Sequence, residues 1–418
     1  MRVLQVNNFA YLKGGSEKVM FETIDVLRRH GHDVCTFSMA DDRNRDDIGG
    51  RYVYISPYEK REGFIQSLSA IRNFFYNKDV ERAFVEVLED FRPDIIHMHI
   101  VYGRLTNAVI KVASRYGIPI VQSVHEFRLI CPTYTCLTPK NEICEACAGS
   151  LTNLPCVLKR CSKGNLANSI LVAAECKYRD WFHRYQKHVE GFIMVSRFIM
   201  DRHLEHFPDM NDKCFQIYNA IDTKSYGRYV NSEKLSQERY FLYFGRLSYE
   251  KGVMTLLDYF ERNPHLNLKV AGTGPLMDEM KERISERKMP NVDMLGYRSG
   301  EDLYKIIADA YFTIVPSEWY ENNPLTVIES LALGTPVIGN RIGGIPEIIS
   351  DGETGYVYDY KTGGDFERCM EMSLSLPEES YGNMMRSCLD AASEMFDGER
   401  YYERLMEVYK RVIEKNIQ

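Results

Sequence analysis

The sequence PSEWYENNPLTVIESLALGTPVIGNRIGG, residues 316–344, combines a turn, a helix pattern and a buried strand pattern. Asn323 suits a helix N-cap, and Pro324 suits the first helical position, where its missing N–H costs nothing. This placement puts Glu321 in the loop before the helix and Glu329 in its second turn, while the following TPVIG predicts a buried strand. A helix start favours anions, and carboxylates beside an anion site suit a ligand that also carries hydroxyl groups, such as a phosphorylated sugar.

The rest of the chain repeats this alternation of strands and helices. Short apolar runs that predict buried strands occur at residues 2–6, 33–38, 95–100, 118–124, 191–196, 239–247, 266–272, 292–297 and 312–317. Amphipathic helix patterns separate them, which is typical of a parallel sheet. We therefore predict an α/β fold of two doubly wound, Rossmann-like domains that face each other across a cleft. The predicted domains are residues 1–222 and 223–395, and a helix at 396–418 is expected to pack back toward the first.

Length and composition narrow the class of protein. The chain has 418 residues, of which 44% are apolar and 27% charged, and two domains are expected at this length. The formal net charge of −7 argues against general nucleic-acid binding. The lack of a membrane-length apolar run, and a strand that follows directly on Met1, predict a cytoplasmic protein without a secretory signal. In that compartment the 11 cysteines are expected to be reduced or metal-bound.

Glycine-rich turns follow several of the predicted strands. Gly14 and Gly15 precede the first helix, where they either let the backbone approach a ligand or form a plain tight turn. The dinucleotide pattern GxGxxG is absent there. Gly245, Arg246 and Lys251 follow the first strand of the second domain, and two cations beside a helix start predict a diphosphate site. The alternative is a pair of surface charges.

Two further strand ends in the second domain, and one in the first, carry candidate ligand-binding groups. The turn GTGP follows the strand at 266–272, and the end of the strand at 292–297 is placed to meet a nucleobase. His125 and Glu126 follow the strand at 118–124, at the edge where ligands gather in open α/β sheets. A single histidine in this position is more often structural.

Residues 131–161 form a cysteine-dense insertion. Four of its cysteines have a spacing that can form a tetrahedral zinc site, namely Cys144, Cys147, Cys156 and Cys161. A loop of this length also needs a cross-link to hold it in place. The alternative is a set of reduced, partly buried cysteines. Of the two, we predict structural zinc.

Residues 165–188 predict a long helix whose second half is basic. Such a helix can lie on an anionic membrane surface. A solvated charged face on an ordinary helix is the commoner explanation of the same pattern.

Several of these motifs, in this order, resemble the retaining glycosyltransferases of family 4, which have the GT-B fold. The resemblance extends over almost the whole chain. It is carried by GGSEK at 14–18, PDIIHMH at 93–99, His125-Glu126, YNAID at 218–222, FGRLSYEKG at 244–252, AGTGP at 271–275 and E-x7-E at 321–329. Tyr218-Asn219 departs from the Pro-Asn that is common in the family, and the cysteine insertion occurs in only part of it.

The resemblance implies a role for each matched residue. It implies that Arg246 and Lys251 hold the donor diphosphate, and that Glu329 accepts hydrogen bonds from the ribose. Glu321 and His125 would face the donor sugar. The implied donor-binding set is completed by Gly15, Gly245, Gly274, Tyr297, Asn323 and Leu325.

The activity implied by the resemblance is metal-independent sugar transfer with retention, through front-side attack assisted by the diphosphate. UDP-sugar is the expected donor, and a glycan or lipid-linked oligosaccharide in cell-surface polysaccharide synthesis is the expected acceptor. No cofactor is needed for this chemistry. Peripheral contact with the inner face of the plasma membrane is compatible with the basic helix. Nucleic acid is not an expected partner, and the sequence leaves the oligomeric state undecided.

Three other functions share parts of this pattern. A nucleotide-sugar epimerase or hydrolase can have the same fold, and incubation with donor alone separates it from a transferase. A catalytically silent nucleotide-sugar-binding protein would not need the full set of Arg246, Lys251, Glu321, Glu329 and His125. A nicotinamide enzyme would need the GxGxxG pattern that this chain lacks.

Overall fold

The computed structural model describes residues 1–55, 64–231, 233–234 and 238–417, with the backbone alone for 64–68 and 417. The chain divides into two compact units. The first unit consists of Met1–Ala220 and Gly398–Gln418, and the second consists of Ile221–Asp397. Strands and helices alternate along the chain in both units.

The first unit is built on a parallel sheet. Its strands are β1 (Arg2–Val6), β2 (Asp33–Met39), β3 (Gly50–Val53), β4 (Ile95–Met98), β5 (Ile120–Val124), β6 (Gly191–Met194) and β7 (Cys214–Gln216). Its helices are α1 (Gly15–Arg29), α2 (Phe64–Phe75), α3 (Lys78–Phe91), α4 (Ala108–Arg115), α5 (Leu154–Leu158), α6 (Leu166–Phe182), α7 (Tyr185–His188), α8 (Arg197–Leu204) and, from the end of the chain, α17 (Gly398–Ile417). Within the described ranges the strand order is β3-β2-β1-β4-β5-β6-β7.

The second unit is built in the same way. Its strands are β8 (Phe241–Phe244), β9 (Leu268–Ala271), β10 (Val292–Gly296), β11 (Phe312–Val315), β12 (Val337–Asn340) and β13 (Gly355–Tyr358). Its helices are α9 (Thr223–Gly227), α10 (Val253–Arg262), α11 (Met277–Glu286), α12 (Gly300–Asp309), α13 (Leu325–Ala332), α14 (Ile345–Ile348), α15 (Asp365–Leu374) and α16 (Glu378–Met395). The described strands are parallel, in the order β10-β9-β8-β11-β12-β13.

Both strand orders reverse direction once, and this reversal positions the sites. In the first unit the reversal lies between β1 and β4, and in the second it lies between β8 and β11. Ligands of open parallel sheets bind outside the carboxyl ends of the strands at such a point. The predicted α/β fold class, with doubly wound Rossmann-like domains, is confirmed.

The C-terminal helix α17 belongs to the core of the first unit. Its Leu405 and Tyr409 are fully buried and pack in one apolar cluster with Met20 and Ile24 of α1. The hydroxyl of Tyr401 lies 2.9 Å from that of Thr23 in α1. Helix α17 therefore packs on the first unit through both apolar burial and buried hydrogen bonds.

Three predicted element boundaries are wrong. Helix α1 already includes Gly15, so only Gly14 lies before it. Helix α13 begins one residue later than predicted, because Pro324 takes the extended N-cap conformation (φ −68°, ψ 117°) instead of the first helical position. The predicted helix at 165–188 is two helices, since Arg184 adopts a left-handed conformation (φ 44°) between α6 and α7. Among the described residues, none of the helices has the length and apolarity that crossing a membrane requires.

Candidate functional site

The reversal point of the second unit brings together two charged residues that are far apart in sequence. Lys251 ends a short 3-10 turn after β8, and Glu321 lies in the loop after β11. Because β8 and β11 are neighbours, these loops meet, and the Lys251 Nζ atom lies 2.6 Å from Glu321 Oε1. The structure therefore pairs the predicted diphosphate lysine with the predicted sugar-binding carboxylate.

One oxygen of Glu321 is saturated with hydrogen bonds and the other is not. Besides Lys251, Ser317 Oγ donates to Oε1 at 2.6 Å and Trp319 Nε1 donates to it at 3.0 Å. Within the described part of the chain, Oε2 receives no hydrogen bond. Burial alone would raise the pKa of this carboxyl, but Lys251 and the three hydrogen bonds lower it below its ordinary value of 4.5. Glu321 is thus a buried, ionised carboxylate with one oxygen left for a ligand.

The two predicted diphosphate cations have different surroundings. The Lys251 ammonium lies 4.9 Å from the centre of the Trp319 ring as well as on Glu321, and the Lys251 side chain is about a quarter exposed. Arg246 is exposed and forms no ion pair with any described residue. An ammonium has three N–H groups. Lys251 therefore has N–H groups with which to bind an anionic ligand in addition to Glu321.

Two glycines allow the loops around this ion pair to approach so closely. Gly252 has φ +68°, and a Cβ atom there would lie 1.9 Å from the backbone oxygen of Pro316. Gly343 has φ +60°, and its Cβ would lie 2.1 Å from the backbone oxygen of Glu321. The neighbouring Gly344 N–H donates to that same Glu321 oxygen at 2.7 Å. Backbone packing, rather than side-chain contacts alone, fixes the position of Glu321.

Helix α13 supplies the remaining candidates from the 316–344 stretch. Glu329 is buried in its second turn, as predicted, and Asn323 is buried just before the Pro324 cap. Leu325 is the first helical residue and is half-buried. The first N–H groups of a helix have no carbonyl of their own helix to bind, so the start of α13 is suited to an anion.

The other predicted donor-binding residues lie at neighbouring strand ends of the same sheet. Gly245 follows β8, and Gly274 follows β9 and packs against the backbone of Leu247. The loops are joined by a hydrogen bond from Leu247 N–H to the Thr273 oxygen at 2.9 Å. Tyr297 follows β10, with 62% of its surface exposed. These residues lie at the carboxyl edge of the second sheet.

In the first unit, His125 belongs to a stack of three histidines. His99 Nδ1 lies 2.9 Å from His125 Nε2, and their rings are parallel within 9°. His97 also stacks on His99, with 4.6 Å between ring centres. His99 Nε2 lies 2.9 Å from Gln5 Oε1. Because that oxygen can only accept, His99 carries its proton on Nε2, and His125 Nε2 donates to His99 Nδ1.

The stack is anchored in the core of the unit. His97 Nδ1 lies 2.7 Å from the Tyr409 hydroxyl of α17, and its Nε2 lies 2.8 Å from Ser123 Oγ of β5. His97 and His99 are fully buried. The sequence alone did not assign these two residues a role, although their i, i+2 spacing at a strand end was a usable signal because it places both on one sheet face.

Burial keeps the stack uncharged. It lowers the pKa of His97 to about 3 and that of His125 to about 4, and the pKa of His99 is also well below its ordinary value of 6.5. His125 is therefore neutral at pH 7. The neutral ring adds no positive charge to its surroundings.

These histidines predict acid sensitivity of folding. When a histidine has a lower pKa folded than unfolded, the unfolded chain binds more protons below pH 6.5, so stability falls as the pH falls. Near pH 5 each such histidine should contribute up to about 1.4 kcal/mol per pH unit. Burial raises the pKa of Glu126 to about 7, which gives one opposing contribution between pH 4.5 and 7. Urea unfolding at pH 7 and pH 5 measures the net slope, and equal free energies of unfolding at both would contradict the neutral stack.

The loop after β1 is held by buried polar contacts. Asn7 Nδ2 donates to Glu17 Oε1 of α1 at 3.0 Å, and Asn7 Oδ1 accepts from the Ile100 N–H at 2.9 Å. Glu17 is buried, whereas Gly15 is exposed at the helix start. Glu17 of the GGSEK motif is thus structural, and it presents Gly15 at the carboxyl edge of β1.

The predicted zinc ligands lie near one another, since the pKa of Cys156 is raised by burial and also by both Cys161 and Cys147, but no three of their sulfur atoms lie within 4.8 Å of one another. Among the described residues, the one group of three or more His, Cys, Asp or Glu with ligand atoms within 4.8 Å of one another is Glu145, Glu205 and His206, and Arg202 forms ion pairs with both of its carboxylates. The predicted set was Cys144, Cys147, Cys156 and Cys161. None of these four is in a disulfide, and Cys144 Sγ accepts from Lys159 Nζ at 3.1 Å. Zinc stays a prediction, to be checked by metal analysis of protein purified without chelators.

Comparisons with known proteins define the class to which this fold and site belong. The family description "Glycosyltransferase Family 4" matches residues 13–225, and "Glycosyl transferases group 1" matches residues 229–386. The protein is a glycosyltransferase with the GT-B fold. The chain belongs to glycosyltransferase family 4.

Individual relatives are distant. An uncharacterized 42.6 kDa protein in the cps region of Klebsiella pneumoniae is 24% identical over 83% of this chain and 87% of its own. Sulfoquinovosyl transferase of Arabidopsis thaliana is 24% identical over 87% of this chain and 63% of its own. Among solved structures, sucrose-phosphate synthase from Thermosynechococcus elongatus has a TM-score of 0.70 at 16% identity, covering 99% of both chains. HepE of Anabaena with UDP-glucose has a TM-score of 0.67 at 17% identity, covering 98% of this chain and all of its own. These two structures share the fold.

Proposed function

We propose that this protein is a retaining transferase that moves a sugar from a nucleotide-sugar, a UDP-sugar, to a glycan or lipid-linked oligosaccharide. The acceptor is a cell-surface polysaccharide under synthesis, and the enzyme works in the cytoplasm, at or near the inner face of the plasma membrane. The Klebsiella relative's place in a cps region and the UDP-glucose bound to HepE support this choice.

The observation that carries the proposal is the asymmetric bonding of Glu321. Its Oε1 is occupied by three donors while Oε2, beside the Lys251 ammonium, has no donor among the described residues. A ligand that places a hydroxyl on Oε2 and an anionic oxygen on Lys251 satisfies both groups. A sugar linked to a diphosphate has this combination.

The proposed chemistry follows from the charges. Negative charge builds on the diphosphate as the sugar leaves, and Lys251, Arg246 and the first N–H groups of α13 stabilise it without a metal ion. His125 faces the sugar as a neutral ring and adds no positive charge. Because Oε2 of Glu321 is assigned to a sugar hydroxyl, front-side attack, with a diphosphate oxygen taking the acceptor proton, is preferred to a covalent adduct on Glu321.

A panel of nucleotide-sugars tests the donor. A bound donor should raise the melting temperature by mass action, with the largest shift for UDP-sugars, and nucleotide release should be slow until an acceptor is added. A higher melting temperature with GDP-sugars alone would mean that the donor is a GDP-sugar. Efficient turnover of donor without acceptor would favour an epimerase or hydrolase.

The role proposed for Glu329 gives a separate prediction. Glu329→Ala should weaken UDP binding by roughly 10- to 100-fold, because a charged group's hydrogen bonds to the ribose hydroxyls are lost. Calorimetry with UDP and with 2′,3′-dideoxy-UDP measures this. The variant should bind the two equally, while the wild type prefers UDP. The exposed Glu353→Ala is the control; equal discrimination by wild type and Glu329→Ala would remove Glu329 from the ribose.

A further inference from the structure

Helix α6 exposes mostly apolar side chains. Its exposed residues are Leu166, Ala167, Asn168, Ile170, Ala174, Trp181 and Phe182, of which only Asn168 is polar. At 100° per residue, Leu166, Ala167, Ile170, Ala174 and Trp181 fall within an arc of about 100°. That arc also contains the partly buried Lys177, whose Nζ donates to the Ser150 backbone oxygen. A helix on the surface of a soluble domain normally turns its charged residues outward. This apolar face therefore indicates a binding surface.

Two of the four charged residues of α6 point inward instead. Glu175 and Arg179 are almost completely buried. Glu175 Oε2 lies 2.6 Å from Arg128 Nη2, and Arg179 Nη1 donates to the Arg128 backbone oxygen at 3.2 Å. A buried ion pair costs desolvation, so these contacts fix the rotation of α6 and leave its apolar face outward.

The cysteine insertion extends the same surface. Leu151, Leu154 and Leu158 are exposed, with 76% of Leu151 accessible to solvent. The insertion is fastened along α6, since Asn153 Nδ2 donates to the Ala173 oxygen at 3.4 Å. A second bond runs from Ser162 N–H to Ser169 Oγ at 3.0 Å. We use "docking surface" for the exposed side chains of residues 151–187.

Charge selects the partner for the docking surface. Its exposed charged groups are all cationic, namely Lys159, Arg160, Lys163, Arg184 and Lys187, in a chain with a net charge of −7. The two acids of this segment are Glu175, which is buried, and Asp180, which is only partly exposed and is bound by Arg179. Lysine is depleted at protein–protein interfaces, whereas leucine, tryptophan and phenylalanine beside lysine and arginine are typical of surfaces that lie in the headgroup region of a bilayer.

We propose that residues 151–187 dock this protein on an anionic lipid bilayer by inserting the apolar face of α6 and the leucines of the insertion. The cations contact lipid phosphates around that apolar centre. The inference rests on the proposed function only for its purpose, which is to reach a lipid-linked acceptor. Docking differs from the purely electrostatic contact expected for a basic helix, because the inserted apolar groups are not screened by salt.

Vesicle flotation of the full chain tests the docking surface. The wild type should bind phosphatidylcholine vesicles with one quarter phosphatidylglycerol, and bind pure phosphatidylcholine more weakly. Ile170→Glu/Leu158→Glu should lower the partition coefficient at least about tenfold, since two apolar groups lose their burial. Lys159→Gln should lower it by about fivefold. Leu374→Glu, at an exposed leucine of the second unit, is the matched control and should bind as the wild type does.

Trp181 gives a direct readout of insertion. The chain has two tryptophans, Trp181 and Trp319, so Trp319→Phe leaves Trp181 as the only indole. Its emission should shift to the blue and be quenched by brominated lipid. Emission unaffected by vesicles, or flotation of Ile170→Glu/Leu158→Glu equal to the wild type, would overturn the proposal.

Two controls separate this proposal from the others. If the double variant instead converts a dimer into a monomer while the wild type ignores vesicles, the surface joins two copies of this chain and the bilayer proposal is wrong. Melting shifts with nucleotide-sugar are measured without vesicles. The double variant should keep them, so failure of the donor assignment and failure of docking are distinguishable.

Discussion

Lys251→Met should lower kcat for sugar transfer by roughly 10²- to 10³-fold, the usual effect of removing one preorganised group that stabilises developing negative charge. Methionine keeps most of the length of the side chain, but it removes the charge that lies 2.6 Å from Glu321 Oε1. The same change should raise the pKa of Glu321, because burial then acts with less opposition. The acid limb of the pH–rate profile should therefore move to higher pH.

A second variant separates the two roles of Lys251. If the lysine acted only by neutralising Glu321, Lys251→Met/Glu321→Gln would be as active as Glu321→Gln alone. If it acts on the diphosphate, the double variant should be slower than Glu321→Gln by most of the original loss. Lys269→Met is the control, since Lys269 also lies over an aromatic ring, that of Tyr240 at 3.9 Å, in the same unit. Normal kcat in Lys251→Met would remove this residue from the site.

Gly343→Ala should destabilise the second unit by more than about 3 kcal/mol, since a Cβ atom 2.1 Å from the Glu321 backbone oxygen forces the loops apart. The displaced loop carries Glu321, so the variant should also lose the melting shift with donor. Gly352→Ala is a matched control. Gly352 has a similarly positive φ of +83°, but its Cβ would meet nothing within 4 Å.

Comparing Gly343→Ala with Gly352→Ala separates the effect of the close contact on stability from the effect of backbone strain. Strain alone should cost Gly352→Ala about 1 kcal/mol, with donor binding unchanged. Chemical denaturation of both variants, with and without UDP-sugar, measures the two quantities. Equal losses of stability in Gly343→Ala and Gly352→Ala would mean that the contact with Glu321 does not matter.

Local pattern was sufficient for most strands and for the position of Glu329, because buried strands and helix starts have short-range signals. It failed at β3, where Arg51 and Tyr52 are exposed on an edge strand and leave no apolar run. It also placed the start of α13 one residue early, since Pro324 suits both the N-cap and the first turn.

The contacts that define the candidate site could not be predicted from local pattern. Lys251 and Glu321 are 70 residues apart in sequence and meet only because β8 and β11 are neighbours. The rotation of α6 depends on Arg128, which is 47 residues from Glu175. From sequence alone, the charged residues of α6 indicated a solvated helix face. The buried pairing of Glu175 with Arg128, which only the structure shows, reverses that interpretation.

The placement of α17 has a consequence for synthesis of the protein. Tyr409 binds His97 and packs with β1 and α1, so the core of the first unit needs a segment that is translated about 300 residues after His97. The second unit is continuous from Ile221 to Asp397 and contains all of its own strands among the described residues. We therefore expect the second unit to fold first during synthesis. The first unit keeps an uncovered sheet face until α17 has been made. A chain arrested before residue 398 should bind chaperones through that face.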